Sequence, residues 1–494
     1  MAAVMLQGCG SDVGKSVLVA GLCRLFTNRG YVVRPFKPQN MSNNAAVTAD
    51  GGEIGRAQAL QAVACRTPPT VDMNPVLLKP QSDVGAQLVV HGKMAGNWQA
   101  RAYQQKKPDL LPAVMESYER LRTQSDLVIV EGAGSPAEIN LRQGDIANMG
   151  FARAGQVPVI LIGDIDRGHV IAALAGAHAV LPAEDRAMIN AFMINKFRGD
   201  PRLFDDGLTE IENRTGWTNL GMVPWLAAAA RLPAEDGVIL ETARPRTAQK
   251  RIKVMALMFS RIANFDDFDA LAAEPNVDFA FLPPGRALPG DVDLVILPGS
   301  KATLADLTFM RAQGWDVDVA AHVRRGGRVL GICGGFQMLG RQVSDPNGME
   351  GPPETIPGLG LLDIDTLLTG EKVLRPVTGR SARQSAEMEG YEMHVGQTTG
   401  TALKRPLLVL DPDTPEGAVS ADGRVAGTYV HGLFTRASFR SAFLREFGVA
   451  SNGLEQTAIV DEALDEIADA LAKCVDIDAV ARIAKLQSAK QLAV

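Results

Sequence analysis

The feature that most constrains the fold lies at residues 328–340, where the apolar run Arg328-Val329-Leu330-Gly331-Ile332 stops at Cys333-Gly334-Gly335 and gives way to the helical spacing of Phe336, Met338 and Leu339. A strand that turns into a helix within two residues needs small neighbours, and Gly331, Gly334 and Gly335 supply them. The elbow presents the Cys333 thiol at a helix N-terminus, where the dipole favours negative charge. Cys333 is therefore a candidate nucleophile. The plainer alternative is a structural cysteine on a glycine turn.

A second strand-to-helix junction opens the chain. The strand-like residues 3–7 run into Gly8-Cys9-Gly10-Ser11-Asp12-Val13-Gly14-Lys15-Ser16, followed by an apolar helix from Val17 to Phe26. Glycines let backbone N–H groups face phosphate oxygens, Lys15 supplies a point charge, and the Ser16 hydroxyl can ligate magnesium. Gly10, Asp12, Gly14, Lys15 and Ser16 are thus nucleotide-binding candidates. Cys9 stands where the usual spacing has glycine, so the loop belongs to a variant class.

The strand of residues 31–36 delivers Lys37, placed to reach a terminal phosphate, and then Asn40, Ser42, Asn43 and Asn44, whose amides and hydroxyl suit a polar, carboxylate-bearing substrate. A solvated turn is the competing reading. Residues 53–65 read as a helix with Gln58 and Gln61 on one face, and Glu53 is a candidate magnesium partner. The strand of residues 126–131 ends in Glu131, a Walker-B-like position for magnesium. Further on, Asp145 and Asp166 are substrate candidates, with helix capping an equal explanation for Asp166. Asn195, at the exit of the strand 189–194, is placed to read an adenine edge. Repeated strand-helix alternation predicts a parallel sheet with helices on both faces.

With 494 residues the chain is long enough for two large domains and a tail. Residues 1–228 form the first unit, 229–250 a linker, 251–448 a second α/β unit and 449–494 a helical tail with an amphipathic pattern. Lys+Arg 50 against Asp+Glu 56 gives a net charge of −6, which does not point to nucleic acid or a membrane surface as partner. Five scattered cysteines without a CxxC pair indicate neither zinc nor a disulfide framework. With no leader-like or spanning stretch, the expectation is a cytoplasmic protein.

In the second unit, the backbone amides of Gly299 and Gly334 can form an oxyanion hole for a carbonyl attacked by Cys333. The base should be a histidine near another strand end, and His431 in Gly427-Thr428-Tyr429-Val430-His431-Gly432-Leu433 provides it. His394 is the rival; Glu392 shares its strand face.

These residues together resemble the cobyric acid synthase family of glutamine-dependent amidotransferases, end to end. The front half is similar to dethiobiotin-synthetase-type phosphate-loop domains in residues 8–16, Lys37-Pro38 and Glu131-Gly132-Ala133-Gly134. The back half is similar to class I glutamine amidotransferases in residues 331–335 and His431. Residues 39–44, Gly55-Arg56-Ala57-Gln58 and Gly390-Tyr391-Glu392-Met393-His394-Val395-Gly396 favour this family over its a,c-diamide synthase relatives. The resemblance implies ATP, Mg²⁺, glutamine and a corrinoid polycarboxylate, with amidation at the b, d, e and g carboxylates of adenosylcobyrinic acid a,c-diamide. Ordinary class I enzymes carry Glu two residues after the histidine, and here Leu433 stands there. The group that orients His431 is left open, as are the oligomeric state, the same chemistry on another polycarboxylate, and a non-catalytic nucleotide switch.

Overall fold

The computed structural model describes residues 1–81, 85–233 and 252–487. Its first unit is built on a six-stranded sheet in the order Thr218–Pro224, Ile189–Phe197, Val159–Asp164, Ala2–Gly8, Leu127–Glu131, Val33–Phe36. Every adjacent pair runs parallel. The Ala2–Gly8 strand is central and buried along its whole length, which is why it reads as an unbroken apolar run rather than an alternation. Parallel strands bring their carboxyl ends to one edge, so Gly8, Phe36, Glu131 and Asp164 emerge together.

Beside this sheet lies a four-stranded one, Gln39–Met41, Val76–Pro80, Gly85–Val90 and Lys93–Gln99, in that order. The sequence expectation of a loop over residues 37–44 missed its first strand, Gln39–Met41. Three residues of mixed polarity carry no period, and only pairing with Val76–Pro80 makes them extended.

The second unit has the sheet order Val277–Leu282, Ile252–Leu257, Leu294–Leu297, Arg328–Ile332, Val425–Thr428, Ala418–Val419, antiparallel only at its last pair. A long antiparallel ladder of Asp365–Ser381 against Glu387–Thr399 stands at the seam between the units. There Met393 shares an apolar cluster with Ala45, Leu77 and Val89 of the first unit.

The tail does not stay with the second unit. Helix Gln456–Cys474 crosses back onto helix Lys15–Asn28, where Leu464, Ile467 and Leu471 are fully buried in one core with Leu18 and Leu22. Gly21 permits the approach, since a Cβ there would stand 2.6 Å from both Ile467 and Leu471. Fully buried Arg24 pairs with Asp461, and the Asp476 amide donates to the Leu220 carbonyl at 2.8 Å. The expected boundaries shift accordingly: from residue 456 the tail belongs to the first domain's core. So does the short helix Ala227–Arg231, whose Arg231 pairs with Glu466, so residues 229–231 are not linker. Residues 234–250 of the expected linker lie outside the described residues. Ile467→Ala should cost about 2–5 kcal/mol, cavity included, and lower the chemical-denaturation midpoint of the whole chain.

Candidate active site

The elbow forms as the glycines require. Cys333 sits at φ 52°, ψ −110°, a positive φ that non-glycine residues hold only where the surroundings enforce it. Two glycines enforce it. A Cβ on Gly335 would stand 1.9 Å from the Leu297 carbonyl oxygen, and one on Gly331 would meet the Gly335 oxygen at 2.6 Å. The thiol is not exposed as expected: Cys333 is only 9% accessible and lines a cavity at the domain seam, with Sγ 3.5 Å from the Met393 carbonyl.

His431 reaches the same cavity from the strand Val430–His431. Its Nδ1 donates to Asp267 Oδ2 at 2.7 Å, and Asp267 Oδ1 accepts the Gly432 N–H at 2.8 Å. The imidazole stacks on Tyr391, centroids 5.2 Å apart at 18°. Burial alone would depress its pKa, but the Asp267 charge and hydrogen bond, together with the Cys333 side chain, raise it to about 10. Asp267 is the orienting acid that the position of Leu433 left unassigned. It comes from a short helix, Phe265–Phe268, far upstream in the chain.

The rival His394 lines the same cavity but is a different kind of histidine. Burial and the His431 charge push its pKa down to about 4, and its ring stacks on Tyr429 with centroids 3.8 Å apart. Among the described residues it has no carboxylate partner, and Glu392 pairs with Arg375 at 2.5 Å. Gly299 and Gly334 both line the cavity. A Cβ on Gly299 would stand 3.1 Å from His431 Cε1, and one on Gly334 would stand 3.1 Å from the Ser300 amide nitrogen.

In the first unit, Ser16 Oγ donates to Glu131 Oε1 at 2.8 Å and Lys37 Nζ to the same oxygen at 2.8 Å, bringing three expected residues together. Lys15 Nζ donates to the carbonyls of Gly10 and Gly134 at 3.0 and 3.3 Å, bridging the phosphate loop to the loop after Glu131. Gly14, at φ 91°, opens helix Lys15–Asn28 with no side-chain cap, so the helix N-terminus follows directly on the phosphate loop. A cradle of N–H groups, one lysine and one hydroxyl-carboxylate pair fits a nucleotide phosphate with magnesium, which needs few protein ligands. Among the described residues no cluster of three or more His, Cys, Asp or Glu side chains is arranged to hold a metal by itself.

Several expected residues are placed otherwise. Glu53 is buried between Lys79, at 2.9 Å, and Lys372. Burial would raise its carboxyl, but the two ammonium groups outweigh it and hold it below the usual carboxylate range, so its oxygens serve the domain seam rather than the phosphate loop. Asn195 donates Nδ2 to the Val13 carbonyl at 2.9 Å, which ties the strand exit to the phosphate loop. Asp12, at φ 58° in that loop, gives its carbonyl to Lys196. Asp145 accepts the amides of Ala147, Asn148 and Gly150, a turn-forming role that a polar-loop reading cannot distinguish from binding. Asp166 pairs with Arg198 at 2.7 Å.

Of the four substrate candidates within residues 40–44, Asn40 bonds Gln58 at 3.0 Å, Ser42 Oγ accepts the Asn44 amide at 3.0 Å, and Asn44 Oδ1 accepts the Asn264 amide of the second unit at 2.8 Å. Only Asn43 has a buried acceptor, Oδ1, without a hydrogen-bond partner.

A nucleotide-binding α/β unit joined to a Cys-His-Asp elbow domain is the architecture of a glutamine amidotransferase fused to its synthetase. Residues 4–239 match the CobQ/CobB/MinD/ParA nucleotide binding domain, and residues 253–439 match the CobB/CobQ-like glutamine amidotransferase domain. The chain is 68% identical over 484 residues to cobyric acid synthase of Caulobacter sp. (strain K31), covering 98% of this chain and 100% of the relative. It is 60% identical to that of Sphingopyxis alaskensis, covering 98% and 99%, and 61% identical to that of Hyphomonas neptunium, covering 96% of each. The chain belongs to the cobyric acid synthase family and is a glutamine-dependent amide ligase. Among the described residues no helix is long and apolar enough to cross a membrane.

Proposed function

We propose that the chain amidates the b, d, e and g carboxylates of adenosylcobyrinic acid a,c-diamide, using ATP and glutamine, to give adenosylcobyric acid. The observation that carries this reading is the cavity at Cys333. Its walls combine Cys333 and His431 with Lys79, Gln81, Gln87 and Met94 of the first unit, so nitrogen freed at the thiol is released against the synthetase domain.

Cys333 attacks the side-chain amide of glutamine, forming the S–C bond of a tetrahedral intermediate. His431, held by Asp267, protonates the departing ammonia, and water hydrolyses the thioester to glutamate. On the first unit, Lys15, Lys37 and the N–H cradle hold the phosphates of ATP, whose terminal phosphoryl passes to a substrate carboxylate. Activation is necessary because a free carboxylate is a poor electrophile. Ammonia then displaces phosphate from the acyl phosphate. Ser16 and Glu131 would hold magnesium, which would supply neutralisation of the phosphate charge. The buried, unpartnered Oδ1 of Asn43 is suited to an N–H donor of the acceptor, such as an amide already in place.

The test incubates purified chain with ATP, magnesium, glutamine and the a,c-diamide, following the corrinoid by mass. Stepwise replacement of four hydroxyls by amino groups, with matching release of phosphate and glutamate, is the expected result. An unchanged corrinoid alongside glutamine hydrolysis would mean another acceptor.

A further inference from the structure

The ring stacked on His431, and the acid next to its carboxylate partner, are held from the other domain. Arg56 heads the nine-residue helix Arg56–Ala64 of the nucleotide-binding unit. Its Nε lies 2.9 Å from Asp266 Oδ2, and its Nη2 donates to the Tyr391 hydroxyl at 2.6 Å. The guanidinium also stands 5.6 Å from the Tyr391 ring centroid. Asp266 immediately precedes Asp267, the hydrogen-bond partner of His431, and Tyr391 is both the cross-strand neighbour of His431 and the ring stacked on it. One cation thus touches the ring stacked on the imidazole and the residue adjoining its carboxylate partner.

The same helix reaches the nucleotide site at its other end. Gln61 donates Nε2 to Glu131 Oε2 at 2.5 Å, while Ser16 and Lys37 hold Oε1 of that carboxylate. Gln61 lies five residues beyond Arg56, about 7.5 Å along the axis at the usual helical rise. A short rigid element therefore connects the Glu131 carboxylate to the surroundings of His431. Any cation or phosphate drawn to Glu131 competes with the Gln61 amide for Oε2, which gives ligand binding a differential interaction with the helix. The structural alternative is a domain-docking ion pair without effect on chemistry; Asn44–Asn264 and Glu53–Lys372 already dock the seam.

We infer that Arg56 is a positioning residue for the Cys333–His431 pair, supplied across the domain seam, and that helix Arg56–Ala64 couples occupancy of the Glu131 site to the reactivity of Cys333. The inference rests on the glutaminase reading of that pair. When the nucleotide site fills, the helix head shifts against Asp266 and Tyr391, and the imidazole moves relative to the thiol. Glutamine is then hydrolysed fastest when ATP is in place to use the ammonia.

The test uses the full chain and two readouts: glutaminase kcat and KM without nucleotide, and the rate at which a glutamine-analogue chloroketone labels Cys333, with and without ATP and magnesium. Arg56→Met should lower kcat and labelling about 10- to 100-fold with little change in KM, as expected when a catalytic group is misplaced while glutamine binding is kept. Arg56→Lys, which keeps the charge near Asp266, should recover part of the loss, and Tyr391→Phe should show a smaller loss of the same kind. In the wild type, ATP and magnesium should raise labelling about 5-fold or more, and Gln61→Leu should abolish that response. Wild-type kcat in Arg56→Met, or in Tyr391→Phe should the first variant not fold, overturns the positioning role. A nucleotide response absent from the wild type, or intact in Gln61→Leu, overturns the coupling. A wild-type thiol inert to the analogue would instead overturn the glutaminase reading itself.

Discussion

Cys333→Ala is expected to abolish glutamine-dependent amidation and glutamine hydrolysis, by about 10⁴-fold or more, while amidation supported by ammonium persists. The expectation follows from the separation of the two half-sites. The thiol belongs to an elbow of the second unit, whereas the phosphate loop, Lys37 and Glu131, which carry the synthetase chemistry, belong to the first. Alanine at residue 333 removes the atom that forms the thioester while keeping the backbone that the elbow constrains. It removes a single heavy atom, so the cavity walls should hold. Parallel measurement of glutamate and phosphate release with glutamine or ammonium checks this, and loss of ammonium-supported turnover in a folded variant would mean that the thiol serves the synthetase reaction directly.

The residues legible in the sequence are those whose role is imposed by backbone geometry. Gly14, at positive φ, and Gly331 and Gly335, where a Cβ would clash with backbone, mark turns that other residue types strain, so both strand-to-helix junctions could be placed from them. Residues acting through tertiary partners were not legible. Asp267 sits in Phe265-Asp266-Asp267-Phe268, where two adjacent acids look like a solvated turn, and only the fold carries one of them to His431. The polar stretch Asn40, Ser42, Asn43 and Asn44 has the composition of a ligand site, yet three of the four are satisfied internally. A buried amide network and a binding loop use the same side chains and differ only in which acceptors remain open. Glu53 was misplaced for a related reason, since a carboxylate suited to magnesium is equally suited to two lysines, and both lysines are distant in sequence. The tail's amphipathic pattern revealed a buried face but not the helix it covers, because hydrophobic packing leaves no signature of its partner's position in the chain.

Asp267→Asn is expected to lower glutaminase kcat by roughly 10²–10⁴-fold, with glutamine binding largely kept. The carboxylate accepts two hydrogen bonds, one from His431 Nδ1 at 2.7 Å and one from the Gly432 amide at 2.8 Å. An asparagine side chain has one acceptor oxygen, so one of those donors must face an NH₂ group. Either the Gly432 turn loses its partner or the imidazole turns to the wrong tautomer. The charge is lost as well, and with it the main force opposing the cost of burying the imidazolium. Its pKa should fall from about 10, and the alkaline limit of Cys333 labelling should move to lower pH. Because the folded value is raised above the ordinary value of about 6.5, His431 contributes stability fully below that pH and loses it as pH rises toward 10. That slope should flatten in the variant when unfolding is followed against pH. The other groups facing the ring are Asp266 with Arg56, Tyr391, His394 and Cys333, all unchanged by the substitution, so a shift in both the labelling profile and the stability slope can be assigned to Asp267. An unshifted labelling profile with reduced kcat would instead make Asp267 a steric support whose charge is irrelevant to the pair.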